Sequence, residues 1–501
     1  MRLQMGMNMI SRRGFVGAAG AFALFNGGCA FRSSSGVFGG GAAKLRFGVL
    51  SDVHLKNKGD DVHLLKALQF FRERGADGVV VAGDIADQGR VWELKMFADA
   101  WYSVFPGDKG LYGEHVEKLF VYGNHCLEGW TWGNTYKGRD DLAAKEALGY
   151  GDNRARFWEE LFHEKYEPIW MKNVHGYTFI GAHWKNPDHT DIAEFLEKRG
   201  GEIDPSLPFF YIQHAHPKDT CFGSWSWGHD DGSSTKALSR FPNAVAFSGH
   251  SHYTLTDNRT VWQGAFTSIN TASMKFSSYD YSLRDNLRGV NSFGYKGEEG
   301  RPKPHPRVYV RRWDEANKPP SYGVDLMQGR QGMLVSVYDD SMVIERREFV
   351  TGHSLGDNWV IPLPVAASKP YAYEEQAKRA AAPEFPAGAR VAVDFVDDEG
   401  KDIGKCARLV FPRAEEREHS RVFDYEVSAV LVEDDVDLVQ VQRRFIAPDF
   451  FLPLEKKIAT CEFRIPLADL KLKGRYRFRA VPLESFGKKG RPIWSDTIEI
   501  A

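Results

Sequence analysis

The sequence predicts an α/β domain built in layers, followed by an all-β module. Three observations predict it. Up to about residue 362, short apolar runs alternate with stretches of helical periodicity, the pattern of strands joined by crossover helices. Polar residues able to bind metals follow one run after another, which gathers them on one rim of a sheet, beyond its carboxyl ends. From residue 389 onward the alternation has period two with no strong helical pattern, as in a β-sandwich.

Composition narrows the function classes. Of 501 residues 43% are apolar, enough for a large core and too many for a disordered chain. Five cysteines exclude a disulfide scaffold. Lys plus Arg number 65 and Asp plus Glu 67, so no globally basic surface exists and no nucleic-acid partner is expected. Beyond the N-terminus no stretch reaches the roughly 18 apolar residues of a membrane span, which predicts a soluble body.

Residues 1–43 read as an address and a tether. Arg12 and Arg13 precede a short apolar run at 15–25, and Asn26-Gly27-Gly28-Cys29-Ala30 supplies the small residues of a cleavage zone. The paired arginines resemble a twin-arginine signal, which implies an exported protein, periplasmic or on the cell surface. Cys29 offers a lipid-anchor site, although Asn26 stands where such sites carry Leu. Residues 33–43 are rich in Gly and Ser and read as flexible.

The body follows at 44–362. Leu45–Leu50 is an apolar run ending in Ser51-Asp52-Val53-His54. Leu64, Leu68 and Phe71 mark one face of a helix stopped by Gly75. Gly78–Ala82 is β-branched and ends in Gly83-Asp84. Leu94, Phe97 and Trp101 mark a second helix, and the run at 119–122 ends in Gly123-Asn124-His125. Tyr177–Ala182, 209–213 and 244–247 are further strands, and 331–347 returns to alternation and closes the sheet.

The candidate ligands are Asp52, His54, Asp84, Asn124, His214, His250 and His252, with His125 beside them. Asp52 and His54 are two apart, so at a strand end both side chains point the same way, and His250 and His252 repeat that spacing. Imidazole with carboxylate suits Zn, Mn or Fe. Two metals about 3.5–4 Å apart need roughly three or four ligands each and a shared carboxylate, a role that Asp84 would fill.

Asp52-Val53-His54, Gly83-Asp84-Ile85-Ala86-Asp87, Gly123-Asn124-His125, His214 and Gly249-His250-Ser251-His252 stand in this order, each after an apolar run. The pattern resembles the calcineurin-like metallophosphoesterases. That resemblance implies a four-layer sandwich of two mixed β-sheets flanked by helices. It implies one metal on Asp52, His54, Asp84 and His252 and another on Asp84, Asn124, His214 and His250. His125 would be the general acid or electrostatic stabiliser beside the phosphoryl group, and Asp87 would hold the loop. His214 is preferred to His216 because the family places its ligand directly at the strand end. The reaction implied is hydrolysis of a small phosphate mono- or diester by in-line attack of a dinuclear-metal-bound hydroxide, and two cations have a physical reason there. They screen the repulsion between an anionic ester and an anionic nucleophile, and they acidify water. The rivals are a non-catalytic cell-surface binding protein that keeps the fold, and a metal-dependent hydrolase of another ester.

Other segments carry weaker signals. His183 follows an apolar run and reads as loop packing. His229, Asp230 and Asp231 lie in a Trp- and Gly-rich loop that either touches substrate or is solvated. Trp130, Trp132 and Tyr136 either wall a substrate pocket or pack on the surface, and Cys126, where the family commonly has an acid, reads as a small buried side chain. Residues 276–320 are irregular and rich in Gly, Pro, Arg and Tyr. Residues 363–388 read as an interdomain linker with a short helix at 373–381. The module at 389–501 reads as a β-sandwich whose last part loosely resembles a fibronectin type III hairpin. It caps the catalytic domain or meets a surface partner. Cys406 and Cys461 within it are either paired or free.

Overall fold

The computed structural model describes residues 41–132, 144–184, 192–222, 228–278, 329–397, 404–416, 421–433, 436–453 and 457–501. Arg12, Arg13, Cys29, Tyr136, nearly all of the tether and most of 276–320 lie outside the described residues.

Two sheets stack face to face. The first is built around the parallel strands β1 (Leu45–Leu50), β2 (Gly78–Ala82) and β3 (Glu117–Val121), joined by the crossover helices α1 (Val62–Glu73) and α2 (Val91–Val104). After β3 come α3 (Asn124–Trp132) and α4 (Asn153–Phe162). The second sheet takes β4 (Ile169–Val174) and β5 (Tyr177–Ala182) as a hairpin, then α5 (Ile192–Arg199), β6 (Phe209–Ile212), α6 (Ser233–Leu238) and β7 (Ala244–Ser248). β8 (Val261–Gln263) and β9 (Thr267–Asn270) complete it, in the order β4-β5-β6-β7-β9-β8 with β5, β6, β7 and β9 parallel. The chain then returns to the first sheet through β10 (Gln331–Val337), β11 (Ser341–Glu348) and β12 (Trp359–Pro362), each antiparallel to its neighbour, giving β12-β11-β10-β1-β2-β3.

The parallel strands are buried on both faces, which is why they read as continuous apolar runs. Between the sheets Phe47 meets Phe179, Phe210 and Phe247 edge-on, with ring centroids 4.8–5.8 Å apart. On the outer face of the first sheet Leu64, Leu68, Phe71, Leu94, Phe97 and Trp101 are buried beneath α1 and α2. α5 and α6 cover the second sheet through Leu196 and Leu238. The result is the expected sandwich of two mixed sheets between helices. No helix among the described residues is long and apolar enough to cross a membrane.

The C-terminal part is all-β. β13 (Ala392–Asp397), β14 (Lys405–Pro412) and β17 (Thr460–Pro466) make one antiparallel sheet. β15 (Val422–Glu433), β16 (Val436–Ile446), β18 (Gly474–Glu484) and β19 (Ile493–Trp494) make the other, with β20 (Ile498–Ile500) also on β18. Tyr425, Val427, Leu431, Tyr476 and Phe478 are buried, whereas Phe395, on the edge strand β13, is 38% exposed. Cys406 stands opposite Pro466 and Cys461 opposite Phe411, so their levels on the ladder differ by five residues, about 17 Å. Both are buried and do not pair with each other. Between the two parts runs α7 (Tyr373–Arg379), and it is packed. The Tyr373 hydroxyl accepts from Phe222 N at 2.8 Å and donates to the Arg259 carbonyl, and Gln376 Nε2 donates to Val261 O at 3.0 Å.

Candidate metal centre

The ligand candidates stand just past strand ends. Asp52 and His54 follow β1, Asp84 follows β2, Asn124 and His125 open α3 after β3, His214 follows β6, and His250 and His252 follow β7. Parallel strands in both sheets end at this rim, so residues up to 200 positions apart meet there. The convergence differs in one respect from strand geometry. Asp52, His54, Asp84, His250 and His252 all have left-handed backbones, with φ between 47° and 68°. The i, i+2 pairs therefore point together through strained turns rather than through strand alternation. Such conformations cost non-glycine residues of order 1–3 kcal/mol each and persist only where the surroundings hold them. The motif glycines make room for this. A Cβ on Gly83, whose φ is 95°, would run into the His214 ring, and one on Gly249 would strike Ser51 and Asp52.

Three acid–imidazole groups overlap. Asp52, His54 and His252 form one, Asp84, His214 and His250 a second, and His54, Asp84 and His125 a third, each with ligand atoms within 4.8 Å of one another. Three histidines are oriented by what holds Nδ1. His54 Nδ1 donates to Asp87 Oδ1 at 3.1 Å, His214 Nδ1 to the Ala82 carbonyl at 2.8 Å, and His252 Nδ1 to the Phe276 carbonyl at 3.2 Å. Each is left with an Nε2 lone pair turned inward, the arrangement that metal-ligating histidines adopt. His252 Nε2 lies 2.9 Å from Asp52 Oδ1, and His214 Nε2 lies 2.9 Å from Asp84 Oδ2. The His54 and His252 Nε2 atoms are 3.2 Å apart, as are His214 Nε2 and His250 Nδ1. Lone pairs facing each other at that distance repel unless something positive lies between them.

Asn124 supplies the most specific sign. Its Oδ1 is buried and has no hydrogen-bond partner among the described residues, a costly state for an amide oxygen unless it coordinates a cation. The cluster is also anionic enough to want one. Burial pushes the Asp52 carboxyl upward, but the His252 and His214 imidazoles outweigh it and hold Asp52 well below the usual range. Burial opposes a charge on His54, yet hydrogen bonds to Asp52 and Asp87 raise it to about 10, so without a cation its Nε2 carries a proton where an ion would otherwise sit. His250, disfavoured first by burial and then by His214, falls to about 3 and is neutral, as a ligand must be. The donor set of carboxylate, amide oxygen and imidazole fits borderline divalent or trivalent ions.

His125 is held at the edge of the cluster. Its backbone N–H donates to Asp84 Oδ1 at 2.8 Å, and its Nδ1 donates to the Asp87 carbonyl at 2.8 Å. Its ring stands edge-on to His54 at 4.4 Å and to Trp132 at 4.8 Å. Trp132 thus reaches the site, while Trp130 packs on Tyr150. Asp87 holds His54 rather than only its own loop, and Lys56 Nζ pairs with it at 3.0 Å.

His216 does not join the cluster. It is fully buried, with Nδ1 and Nε2 each 2.7 Å from a hydroxyl, those of Ser248 and Ser251. It braces the turn that presents His250 and His252. His216→Ala would leave two buried hydroxyls short of a partner beside a new void. We expect a loss of ~2–4 kcal/mol in denaturant unfolding, with metal content of the folded protein retained. His214→Ala should do the reverse, losing metal at smaller cost in stability.

Sequence reasoning missed Trp184, Lys56 and Ser51. Trp184 follows β5, so the strand-end pattern could have found it. Its indole lies against His250 and His214, with ring centroids at 5.4 and 5.8 Å, and its Nε1 donates to Glu128 at 2.5 Å. His183, the residue before it, is packed among Tyr122, Trp158 and Tyr166. Cys126 is buried, and burial pushes its thiol up to about 12.

Comparison with solved structures finds similar chains at low identity. A purple acid phosphatase from yellow lupin (Lupinus luteus) seeds is 12% identical, with TM-score 0.40, over 66% of this chain and 56% of the lupin chain. A dimetal phosphatase from Danio rerio is 12% identical, with TM-score 0.32, over 64% of this chain and 99% of that one. GAP50, the anchor in the inner membrane complex of Plasmodium, is 13% identical, with TM-score 0.32, over 64% and 88%. A search of curated proteins finds no match. The family model of calcineurin-like phosphoesterases matches residues 45–254. That stretch contains every residue of the cluster, and the chain therefore carries a calcineurin-like phosphoesterase domain.

Proposed function

We propose that the protein is an exported phosphoesterase that hydrolyses a phosphate mono- or diester at two metal ions. One observation carries the reading: two Asp/His groups, joined through Asp52 and Asp84, lie beside a buried Asn124 Oδ1 that has no hydrogen-bond partner among the described residues, and they face His125. Asp52, His54, Asp84 and His252 would hold one ion, and Asp84, Asn124, His214 and His250 the other. Iron, manganese and zinc all suit these donors. When bound, such a pair would polarise the phosphoryl oxygens and make a water acidic enough to attack at neutral pH.

The chain's own groups do the rest. Asp84 spans the two positions, with Oδ1 fixed by the His125 N–H and Oδ2 turned to His214 and His54. Asp52 is fixed by the Ser51 hydroxyl and by the His250 N–H at 3.1 Å. His125 has Nδ1 committed to a carbonyl, so only Nε2 can serve the reaction. Protonated there, it stabilises a phosphoryl oxygen or gives its proton to the departing alkoxide. Export is supported by Arg12 and Arg13 ahead of the apolar run at 15–25, and Cys29 offers a lipid anchor there. A cell-surface partner for the C-terminal sandwich fits the same location.

The test is metal analysis together with turnover of aryl phosphates, sulfates and carboxylate esters by the purified protein. Two ions per chain and phosphate-selective turnover are expected. Two ions with no turnover of any ester would favour a binding protein, and faster sulfate or carboxylate hydrolysis would move the activity to another bond. Chelation should lower stability as well as activity. Ions held at 100 times their Kd contribute about 2.7 kcal/mol per site, so the unfolding midpoint should fall on chelation and recover with manganese.

A further inference from the structure

A cavity of about 590 Å3 opens beside the metal centre, its wall including Tyr166, Trp184, Tyr211, His214, Asp230 and Asp231. Two of these also belong to the centre's surroundings. His214 faces Asp84, and Trp184 lies against His250 and His214. The cavity and the metal centre therefore share His214 and Trp184. The volume lies within the roughly 300–1,000 Å3 of small-molecule sites, enough for the organic part of an ester.

The wall is chemically one-sided. Among the described residues it holds two carboxylates and no lysine or arginine. The carboxylates are placed rather than loose. Asp230 Oδ1 accepts from Lys218 N at 3.0 Å and Gly232 N at 2.9 Å, and its Oδ2 accepts from Gln213 Nε2 at 3.0 Å. Asp231 Oδ1 accepts from Ser233 N at 3.0 Å, and the residue is exposed. Their turn is clipped to the strand-end loop that braces the metal centre. His216 N donates to Gly228 O at 2.8 Å, and Asp230 N donates to His216 O at 2.8 Å. Two of the aromatic members are held by their polar tips, Tyr211 through Gln213 Oε1 at 2.8 Å and Trp184 through Glu128.

Among the described lining residues an acidic substituent would meet two carboxylates and no lysine or arginine. A cation would gain from the carboxylates and from the negative faces of aromatic rings. We propose that the cavity receives the organic group of the phosphate ester and that this group is cationic, an ammonium-bearing alcohol. The inference rests on the phosphoesterase reading and adds the substrate class to it.

The test compares phosphocholine with 3,3-dimethylbutyl phosphate, its uncharged isostere, and uses 4-nitrophenyl phosphate as reference, all with the manganese-loaded full chain. We expect kcat/KM for phosphocholine to exceed that of the isostere at least ~10-fold, and Asp231→Asn to shrink that ratio several-fold. Choline should likewise raise the thermal midpoint of the loaded protein more than 3,3-dimethylbutanol does. Turnover of nitrophenyl phosphate with equal or poorer use of phosphocholine against its isostere would overturn the cationic pocket and leave the phosphoesterase standing. A ratio unmoved by Asp231→Asn would overturn it too. No hydrolysis of any ester would overturn the phosphoesterase reading, and this inference with it.

Discussion

Asp84→Asn should cut the turnover of an aryl phosphate by at least ~10^3-fold and take the metal content from two ions per chain to at most one. Asp84 Oδ2 lies 2.9 Å from His214 Nε2 and 3.7 Å from His54 Nε2, between the two groups of ligands. Its Oδ1 is committed to the His125 N–H at 2.8 Å. An amide of the same shape keeps the second bond, since its oxygen still accepts from that N–H. Toward the histidines it then presents a nitrogen with two hydrogens and no charge. Both positions lose their common anion at once, while packing is preserved. Far-UV circular dichroism should therefore match the parent protein. A variant that still holds two ions and turns over at the parent rate would show that Asp84 is not shared.

The strands that carry the site are legible in the sequence because they are buried on both faces. An unbroken apolar run as short as Gly78–Ala82, closed by a glycine, fits a strand covered on both sides, and a polar residue directly after it stands on the rim. β8 and β12 escape for the opposite reason, since three or four residues ending near Gly264 or in Pro362 are too short to show a period. Residues 363–388 read as a linker from their prolines, but composition does not reveal that Tyr373 and Gln376 anchor the segment to the residues around β8. The backbone at the site is unreadable in a more basic way. Left-handed φ is expected at glycine, whereas here Asp52, His54, Asp84, His250 and His252 adopt it beside Gly83 and Gly249. The stacked sheets, the His216 brace and the bonds to Ser51, Asp87 and Phe276 sustain those turns. The cavity is equally hidden, because Tyr166, Trp184, Tyr211 and Asp231 become neighbours only once β5 and β6 are paired.

His125→Ala is the second large effect, and it separates two roles for that imidazole. The ring is fixed by the Asp87 carbonyl at 2.8 Å and stands 4.4 Å from His54 by ring centroids, near the ligands. Removing it should leave two ions in place and lower kcat by ~10^2–10^4-fold. Size alone does not say why. A departing nitrophenolate needs no proton, whereas an alkoxide does. If Nε2 delivers that proton, the loss on an alkyl phosphate should exceed the loss on 4-nitrophenyl phosphate by at least ~10-fold. If it only stabilises charge on the phosphoryl oxygens, both substrates should suffer alike. His125→Gln sharpens the division, since its amide can still donate a hydrogen bond but cannot give up a proton. Recovery of nitrophenyl phosphate turnover without recovery of alkyl phosphate turnover would assign proton delivery to His125. Full activity of His125→Ala on both esters would remove it from the reaction altogether.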